Sequence, residues 1–357
     1  SYCIVRIPPM SLETPVQTEI RDVLGRQLGS LRVSVIDRCD LRCRYCMPEE
    51  DYDWLPKEGI LSFAEIERAV RAFCQFGVRS VRFTGGEPLL RGDLAELVAR
   101  IAALPYVEDL AMTTNATQLA RRADELKRAG LQRVTVSLDS LNAERFQALT
   151  RRDTHAQVIA GIRRAAVVGF DILKLNSVVM RGFNDDELVD LIEFGREVGA
   201  EVRFIEYMDV GGATHWSQSE VVSQTEILAR LAAHYGPIER ETGQGAKPAA
   251  RFLLGDGTRF GIVSSVTEPF CGACDRSRLT ADGMWYLCLY AQQGIDLKPL
   301  LQEWADPQVL LDMIRAGWAG RADRSAEERA GDPERGALYQ VEELQADPHR
   351  EMHTRGG

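Results

Sequence analysis

Histidine is scarce in this chain: there are five in 357 residues, and none lies between positions 235 and 348. Any metal site in that stretch is therefore short of nitrogen donors. No window approaches the roughly 18 consecutive apolar residues of a membrane span. The first twenty residues lack the basic start and apolar run of a secretory signal. Positive charge is not in excess either. The formal net charge is −10, so the basic face that a general nucleic-acid binder needs is missing. There is no internal repeat and no low-complexity tract. What remains, 45% hydrophobic and 27% charged residues, is the balance of a soluble globular chain, expected in the cytoplasm, with no nucleic-acid partner and no membrane partner.

Cysteine is where the sequence is rich. Of eight cysteines, Cys3 and Cys74 stand alone, and Cys74 lies in an apolar helical pattern that reads as core. The other six form two groups of three. In a chain of this length without a signal, clustered cysteines point to metal or redox chemistry rather than to a disulfide framework.

From about 30 to 210, short β-rich runs alternate with amphipathic stretches. The strand candidates are Leu31–Ile36, Ser80–Thr84, Leu110–Thr114, Arg133–Leu138, Ile172–Met180 and Val202–Tyr207. Ser62-Phe-Ala-Glu65 and Ser223-Gln-Thr-Glu226 read as capped helix starts. Asp93, Thr117, Asn142 and Asn184 are further N-cap candidates, with Gly77, Gly130, Gly169 and Gly199 as stops. This alternation predicts βαβ units and a parallel sheet: an open, incomplete TIM-like (β/α)6 barrel, with a flat doubly wound sheet as the alternative. Beyond Tyr207 the rhythm changes. Phe252–Leu254, Phe260–Ser264, Ser277–Thr280 and Trp285–Tyr290 read as antiparallel strands, with turns at Asp256-Gly257 and Asp282-Gly283. The expected division is an unassigned extension over 1–20, a partial barrel over 21–214, and a C-terminal α+β domain over 215–357 that carries the second cysteine group.

Cys39-Asp-Leu-Arg-Cys43-Arg-Tyr-Cys46 follows the first strand, at the rim where the active-site loops of a barrel gather. Three thiolates on one tight loop can hold three corners of a four-iron four-sulfur cube and leave one iron open. A zinc site completed by a distant residue is the alternative, although the spacing does not suit common zinc modules. Cys271-Gly-Ala-Cys274 with Cys288 offers three more thiolates. Taken alone this group favours zinc, but few candidates for a fourth ligand exist, and a second open cube accounts for that more simply.

Alternation along the strands adds a separate reading. Side chains of one parity share a face, which places Arg32, Arg82, Thr135, Lys174 and Arg203 opposite Leu31, Val33, Val35, Val81, Phe83, Val134, Val136, Leu173 and Leu175. The apolar set should meet the helices, so the polar set should line the barrel interior. Inward cations cost several kcal/mol each unless an anion meets them. Four on one face, joined by Arg276 and Arg278, favour a polyanionic substrate such as a nucleoside triphosphate. Pairing with nearby carboxylates, or snorkelling at a strand end, is the competing explanation.

The first cysteine loop, with Tyr45, resembles that of radical S-adenosylmethionine (SAM) enzymes, and Gly85-Gly86-Glu87-Pro88 matches the GGE motif of that superfamily. Cys271-Gly-Ala-Cys274-Asp-Arg276-Ser277-Arg278-Leu-Thr280, leading on to Asp282-Gly283, is similar to the corresponding run of the GTP 3′,8-cyclase (MoaA) family of molybdenum cofactor biosynthesis. The resemblance covers the chain from about 20 to the terminal Gly356-Gly357. It implies two 4Fe–4S clusters, held by Cys39, Cys43 and Cys46 and by Cys271, Cys274 and Cys288. It implies SAM contacts at Tyr45, Gly86, Ser137 and Met208, and GTP contacts at Arg32, Arg82, Thr113, Lys174, Arg203, Arg276, Ser277 and Arg278. Arg276, Arg278, Gly356 and Gly357 carry the implied catalytic roles, and the glycine tail is expected to become ordered on substrate binding. The implied reaction is removal of the C3′ hydrogen of GTP by a 5′-deoxyadenosyl radical, followed by closure onto C8. The implied partners are an external electron donor and a downstream cyclic pyranopterin monophosphate synthase, with the chain a monomer or homodimer. Asp275, Ala116 and Ser80 depart from the residues common in the family. The rival readings are another radical SAM enzyme with an auxiliary cluster, modifying peptides, and a zinc-stabilised binding module.

Overall fold

A computed structural model describes residues 19–242, 245–246, 248–332 and 334–356. Cys3, Gly357 and most of the N-terminal extension lie outside the described residues. The strands are β1 (Ser30–Ser34), β2 (Ser80–Thr84), β3 (Asp109–Thr114), β4 (Arg133–Ser137), β5 (Ile172–Val179), β6 (Glu201–Glu206), β7 (Glu239–Arg240), β8 (Ala250–Leu253), β9 (Arg259–Val263), β10 (Arg276–Leu279), β11 (Met284–Tyr286) and β12 (Ile295–Asp296). The helices are α1 (Phe63–Cys74), α2 (Leu94–Ala102), α3 (Leu119–Arg128), α4 (Ala143–Thr150), α5 (His155–Val168), α6 (Leu188–Val198), α7 (Gln224–Tyr235), α8 (Pro307–Ala319), α9 (Ser325–Ala330), α10 (Val341–Ala346) and α11 (Met352–Arg355). Among the described residues no helix is long and apolar enough to cross a membrane.

The strands β1 to β6 are all parallel, as the alternation predicts, and they pair in sequence order, which suits the partial barrel and not the doubly wound alternative. The apolar parity of these strands is buried and packs with Ile66, Val70, Leu97, Leu126, Ile162 and Leu191 of the helices. The opposite parity faces the interior of the partial barrel.

The later strands do not form the purely antiparallel set expected from sequence. β8–β9 and β10–β11 are antiparallel hairpins, but β10 joins β1 in parallel and β9 joins β6 in parallel. The result is one twelve-stranded sheet in the order β12-β11-β10-β1-β2-β3-β4-β5-β6-β9-β8-β7. An incomplete barrel leaves two edge strands with unpaired N–H and C=O groups. The second half of the chain satisfies one edge with each hairpin.

Both capping boxes form: Ser62 Oγ accepts from Glu65 N at 3.2 Å, and Ser223 Oγ accepts from Glu226 N at 3.3 Å. Asn142 caps α4 through Arg145 N at 3.0 Å. The other three N-cap candidates do different work. Asp93 is left-handed, with φ 52°, and makes no side-chain cap. Thr117 donates to Asp40 in the first cysteine loop at 2.6 Å. Asn184 donates to the Asp139 carbonyl at 2.7 Å and accepts from Met180 N at 2.8 Å, tying the end of β4 to the end of β5. A short polar side chain beside the rim finds a tertiary partner more favourable than its own helix start.

Candidate active site

The first cysteine loop is pinned from three sides. Gly86 N and Glu87 N donate to the carbonyls of Ile36 and Arg38, each at 2.8 Å. A Cβ on Gly86 would sit 2.3 Å from Arg38 O, so only glycine allows the motif after β2 to press against this loop. On the second side, Arg42 N and Arg44 N donate to Thr150 O and Leu149 O at the end of α4, at 2.8 and 3.1 Å. On the third, Tyr45 OH donates to Asp139 Oδ2 at 2.7 Å. Glu87 is fully buried and accepts from Leu89 N, Thr114 Oγ1 and Asn115 N at 2.9, 2.7 and 2.7 Å. Burial pushes its carboxyl up to about 7. Asn115 in turn donates to Asp40 at 2.7 Å.

Burial drives the Cys39 thiol up to about 12, with Glu87 adding to the effect. Cys43 and Cys46 rise as well, and each is disfavoured further by a neighbouring cysteine charge. With these shifts the three stay neutral thiols unless a cationic centre stabilises their thiolates, and three cysteines on one loop are the donor set an iron–sulfur cube takes. Among the described residues no three His, Cys, Asp or Glu side chains converge on a single ion.

Gly86, Ser137 and Met208 lie at the C-terminal ends of β2, β4 and β6, on the same rim as Tyr45. Tyr45 and Met208 belong to one apolar cluster with Tyr207 and Met180. Gly212, just beyond Met208, has no room for a Cβ, which would fall 2.0 Å from Cys46 O.

The cations form a ladder. The parallel register sets Arg32 beside Arg82 on one side and beside Arg278 on the other, on strands about 4.8 Å apart. Arg82 donates to Thr113 Oγ1 at 3.1 Å and to Thr135 Oγ1 at 3.2 Å, reaching across two strands. Neither Arg32, Arg82, Arg276 nor Arg278 meets a carboxylate at ion-pair distance among the described residues. Burial and then Arg276 bring Arg32 down to about 10; burial and then Arg32 bring Arg82 down to about 9. Arg278 falls well below the ordinary arginine value for the same two reasons, burial and Arg32.

The expectation of unpaired inward cations needs correcting at two positions. Lys174 Nζ and Arg203 Nε both meet Glu201 Oε1, at 3.0 and 2.9 Å. This single carboxylate does not balance them, because burial and then Arg203 still bring Lys174 down to about 8. Glu201 and a further cation, Arg133, which pairs with Asp109 at 2.6 Å, escaped the sequence reading. The same parity that places Arg203 and Thr135 inward would have found them.

Cys271 and Cys274 stand just before β10, and Cys288 just after β11. The charge on Cys274 acts on both of the others, so the three form one group. They lie toward the start of β1, where Ser30 pairs with Arg276, while the first loop follows its end. The five residues of β1 span about 16 Å at ~3.3 Å each, with Arg32 between the two groups. Arg276 Nη2 lies 3.5 Å from Cys274 Sγ. Burial raises the Cys274 thiol, but Arg276 and Arg321 outweigh it and bring the thiol down to about 7. Ser277 is fully buried and its Oγ has no partner among the described residues.

The C-terminal tail enters the same interior. Gly356 has φ 69° and packs so closely that a Cβ would lie 2.0 Å from Thr84 Oγ1. Arg278 donates to Gly356 O, and Arg355 donates to Leu289 O at 2.8 Å. The described tail is thus held by contacts from its own chain. Of the three positions expected to differ from the resembled family, Ala116 carries a visible cost: it is left-handed, with φ 64°, a conformation that glycine adopts without penalty. Ser80 donates to Asp109 at 2.7 Å, and the Asp275 carbonyl accepts from Gly29 N and Ser30 N.

Residues 33–195 match the Radical SAM superfamily, and residues 200–327 match the Molybdenum Cofactor Synthesis C family. The chain is 52% identical to GTP 3′,8-cyclase 1 of Mycobacterium tuberculosis, over 98% of this chain and 99% of that protein. It is 45% identical to the GTP 3′,8-cyclase of Acidothermus cellulolyticus, over 94% and 95% respectively. Among solved structures it resembles Streptococcus suis SuiB bound to S-adenosylmethionine. The TM-score is 0.58 at 18% identity, covering 82% of this chain and 69% of that one, a likeness of fold. With both family regions matched and near-complete coverage of its relatives, the chain belongs to the GTP 3′,8-cyclase family of the radical SAM superfamily.

Proposed function

We propose that this chain converts GTP to (8S)-3′,8-cyclo-7,8-dihydroguanosine 5′-triphosphate, the first step of molybdenum cofactor biosynthesis. The observation that carries this reading is the row Arg278–Arg32–Arg82, lacking carboxylate partners and set between two groups of three cysteines. Desolvated guanidiniums side by side repel one another, and a triphosphate relieves that cost.

Cys39, Cys43 and Cys46 would hold one 4Fe–4S cluster, and Cys271, Cys274 and Cys288 the other. When bound, the first cluster and SAM supply the one-electron chemistry that removes hydrogen from C3′ of GTP; the residues of the chain position the reactants. Tyr45, Gly86, Ser137 and Met208 line the SAM side of the rim. Arg32, Arg82, Lys174 and Arg203 take the phosphates, and Thr113 fixes Arg82. Arg276 and Arg278 present the nucleoside beside the second cysteine group, whereas Ser277, expected to join them, stands beside Leu31 on the opposite, apolar face of β10. Arg278 also fixes Gly356, so the tail packs on Thr84 and closes the interior, which holds the reacting atoms in contact and keeps water out. The same role is proposed for Gly357 from the family resemblance alone.

An external donor provides electrons, and a downstream synthase consumes the product. The division near residue 215, a monomeric or homodimeric state and a cytoplasmic setting belong to the same reading. Anaerobic incubation of the reconstituted protein with SAM, dithionite and GTP tests it. The expected products are 5′-deoxyadenosine and the cyclised nucleotide in equal amounts. SAM cleavage that ignores GTP would refute the assignment.

A further inference from the structure

The segment ahead of β1 carries a buried charge cluster that no motif announces. Asp22, Arg26 and Arg321 have side chains between 0% and 2% exposed. Arg26 Nε donates to Asp22 Oδ2 at 2.6 Å, and Arg321 Nη1 reaches the same oxygen at 3.3 Å. One carboxylate faces two guanidiniums, leaving a surplus of buried positive charge. Such a surplus is costly unless dipoles or a further anion meet it.

The surplus is directed at the second cysteine group. Arg26 Nη1 donates to Cys271 O at 2.9 Å and to Asp323 O at 2.7 Å. Arg321 Nη1 donates to Cys274 O at 2.9 Å. The carbonyls of both cysteines on this turn are therefore gripped by guanidiniums. Arg26 Nη2, Arg321 Nε and Arg276 Nε are buried without partners among the described residues. Buried orphan donors are uncommon, and cluster sulfurs are the acceptors nearest in kind. The first cysteine loop has one such guanidinium, Arg42, whose Nη1 donates to Cys39 O at 2.9 Å; the second group has two, sharing one carboxylate. Cations and donated hydrogen bonds favour the reduced, more negative state of a cluster, and anions favour the oxidised one.

We propose that Asp22, Arg26 and Arg321 are positioning residues for the second cluster: they hold the Cys271–Cys274 turn, and the positive charge that the two guanidiniums carry in excess of Asp22 raises the reduction potential of that cluster. This rests on the two-cluster reading given above.

The test is an anaerobic redox titration of the reconstituted full chain, followed by electron paramagnetic resonance. A Cys39→Ala/Cys43→Ala/Cys46→Ala background isolates the second cluster. Arg321→Gln should move its potential to more negative values, Asp22→Asn should move it to more positive values, and Arg321→Lys should stay near the parent. The first cluster, titrated in a Cys271→Ala/Cys274→Ala/Cys288→Ala background, should not respond. Opposite signs for Arg321→Gln and Asp22→Asn are something a merely structural role would not produce. An unchanged potential in Arg321→Gln, or equal shifts in Arg321→Gln and Arg321→Lys, would overturn the inference. If Arg321→Gln fails to hold the cluster, retention at the parent potential in Arg321→Lys supports the inference, and loss from both variants overturns it. Iron and sulfide for only one cluster in the parent protein would instead defeat the two-cluster reading.

Discussion

Glu201 is the single carboxylate offsetting Lys174 and Arg203, at 3.0 and 2.9 Å, with Arg251 at 3.7 Å. Its side chain is 16% exposed, so solvent screens these pairs weakly. Burial alone would raise its carboxyl, but Arg203 and Lys174 prevail and bring it from an ordinary 4.5 down to about 2. At about 1.4 kcal/mol for each tenfold change, that difference is worth about 3 kcal/mol. Because the folded value is depressed, the contribution is present above pH 4.5 and is lost as pH falls through about 2. Replacing Glu201 with Gln at pH 7 should therefore cost about 3 kcal/mol. With an unfolding entropy of about 2.1 cal/mol/K per residue over 357 residues, the melting temperature should fall by about 4 °C. The same change removes an anion that competes with phosphate, so GTP should bind more tightly and stabilise the variant more than the parent. Anaerobic calorimetry with and without GTP reads both effects. A variant that melts with the parent, or that binds GTP more weakly, would refute the account of the cavity as over-positive.

Three further outcomes follow from the same geometry. Lys174 titrates near 8 in the folded chain, so above that pH binding a phosphate requires proton uptake. GTP affinity, followed by equilibrium dialysis, should weaken by about tenfold per pH unit there, and Lys174→Met should flatten the slope. Gly212→Ala places a methyl group 2.0 Å from Cys46 O. It should displace the first cysteine loop, lowering iron content and abolishing 5′-deoxyadenosine formation while the second cluster remains. Gly356→Val forces a side chain onto Thr84 Oγ1 at a left-handed position. It should eject the tail and remove cyclisation while iron content stays at the parent level.

Much of this was legible in the linear chain because it depends on local spacing. Cysteines four and three positions apart must share a loop whatever surrounds them. Ser62 and Ser223 cap their helices through partners three residues away. Alternation along β1, β2 and β5 assigns Arg32, Arg82 and Lys174 to the face opposite the apolar core, since neighbouring side chains on a strand must diverge. Those rules sufficed for six parallel strands alternating with helices and for the two groupings of cysteines; the strand order, left open against a doubly wound sheet, was decided by the fold.

Where the answer depended on relieving an unmet demand, only the folded chain decided it. The open edges at β1 and β6 could have been covered by any strand, and the pairing of β10 and β9 follows from their reach in space. Glu201 became the shared partner of two cations because the β5–β6 register sets Lys174 beside it. Asp22 meets Arg321 across 299 positions, and Arg26 meets the Cys271 carbonyl across 245. No local pattern encodes such pairs, because a buried charge is satisfied by whatever group the fold brings within hydrogen-bond distance.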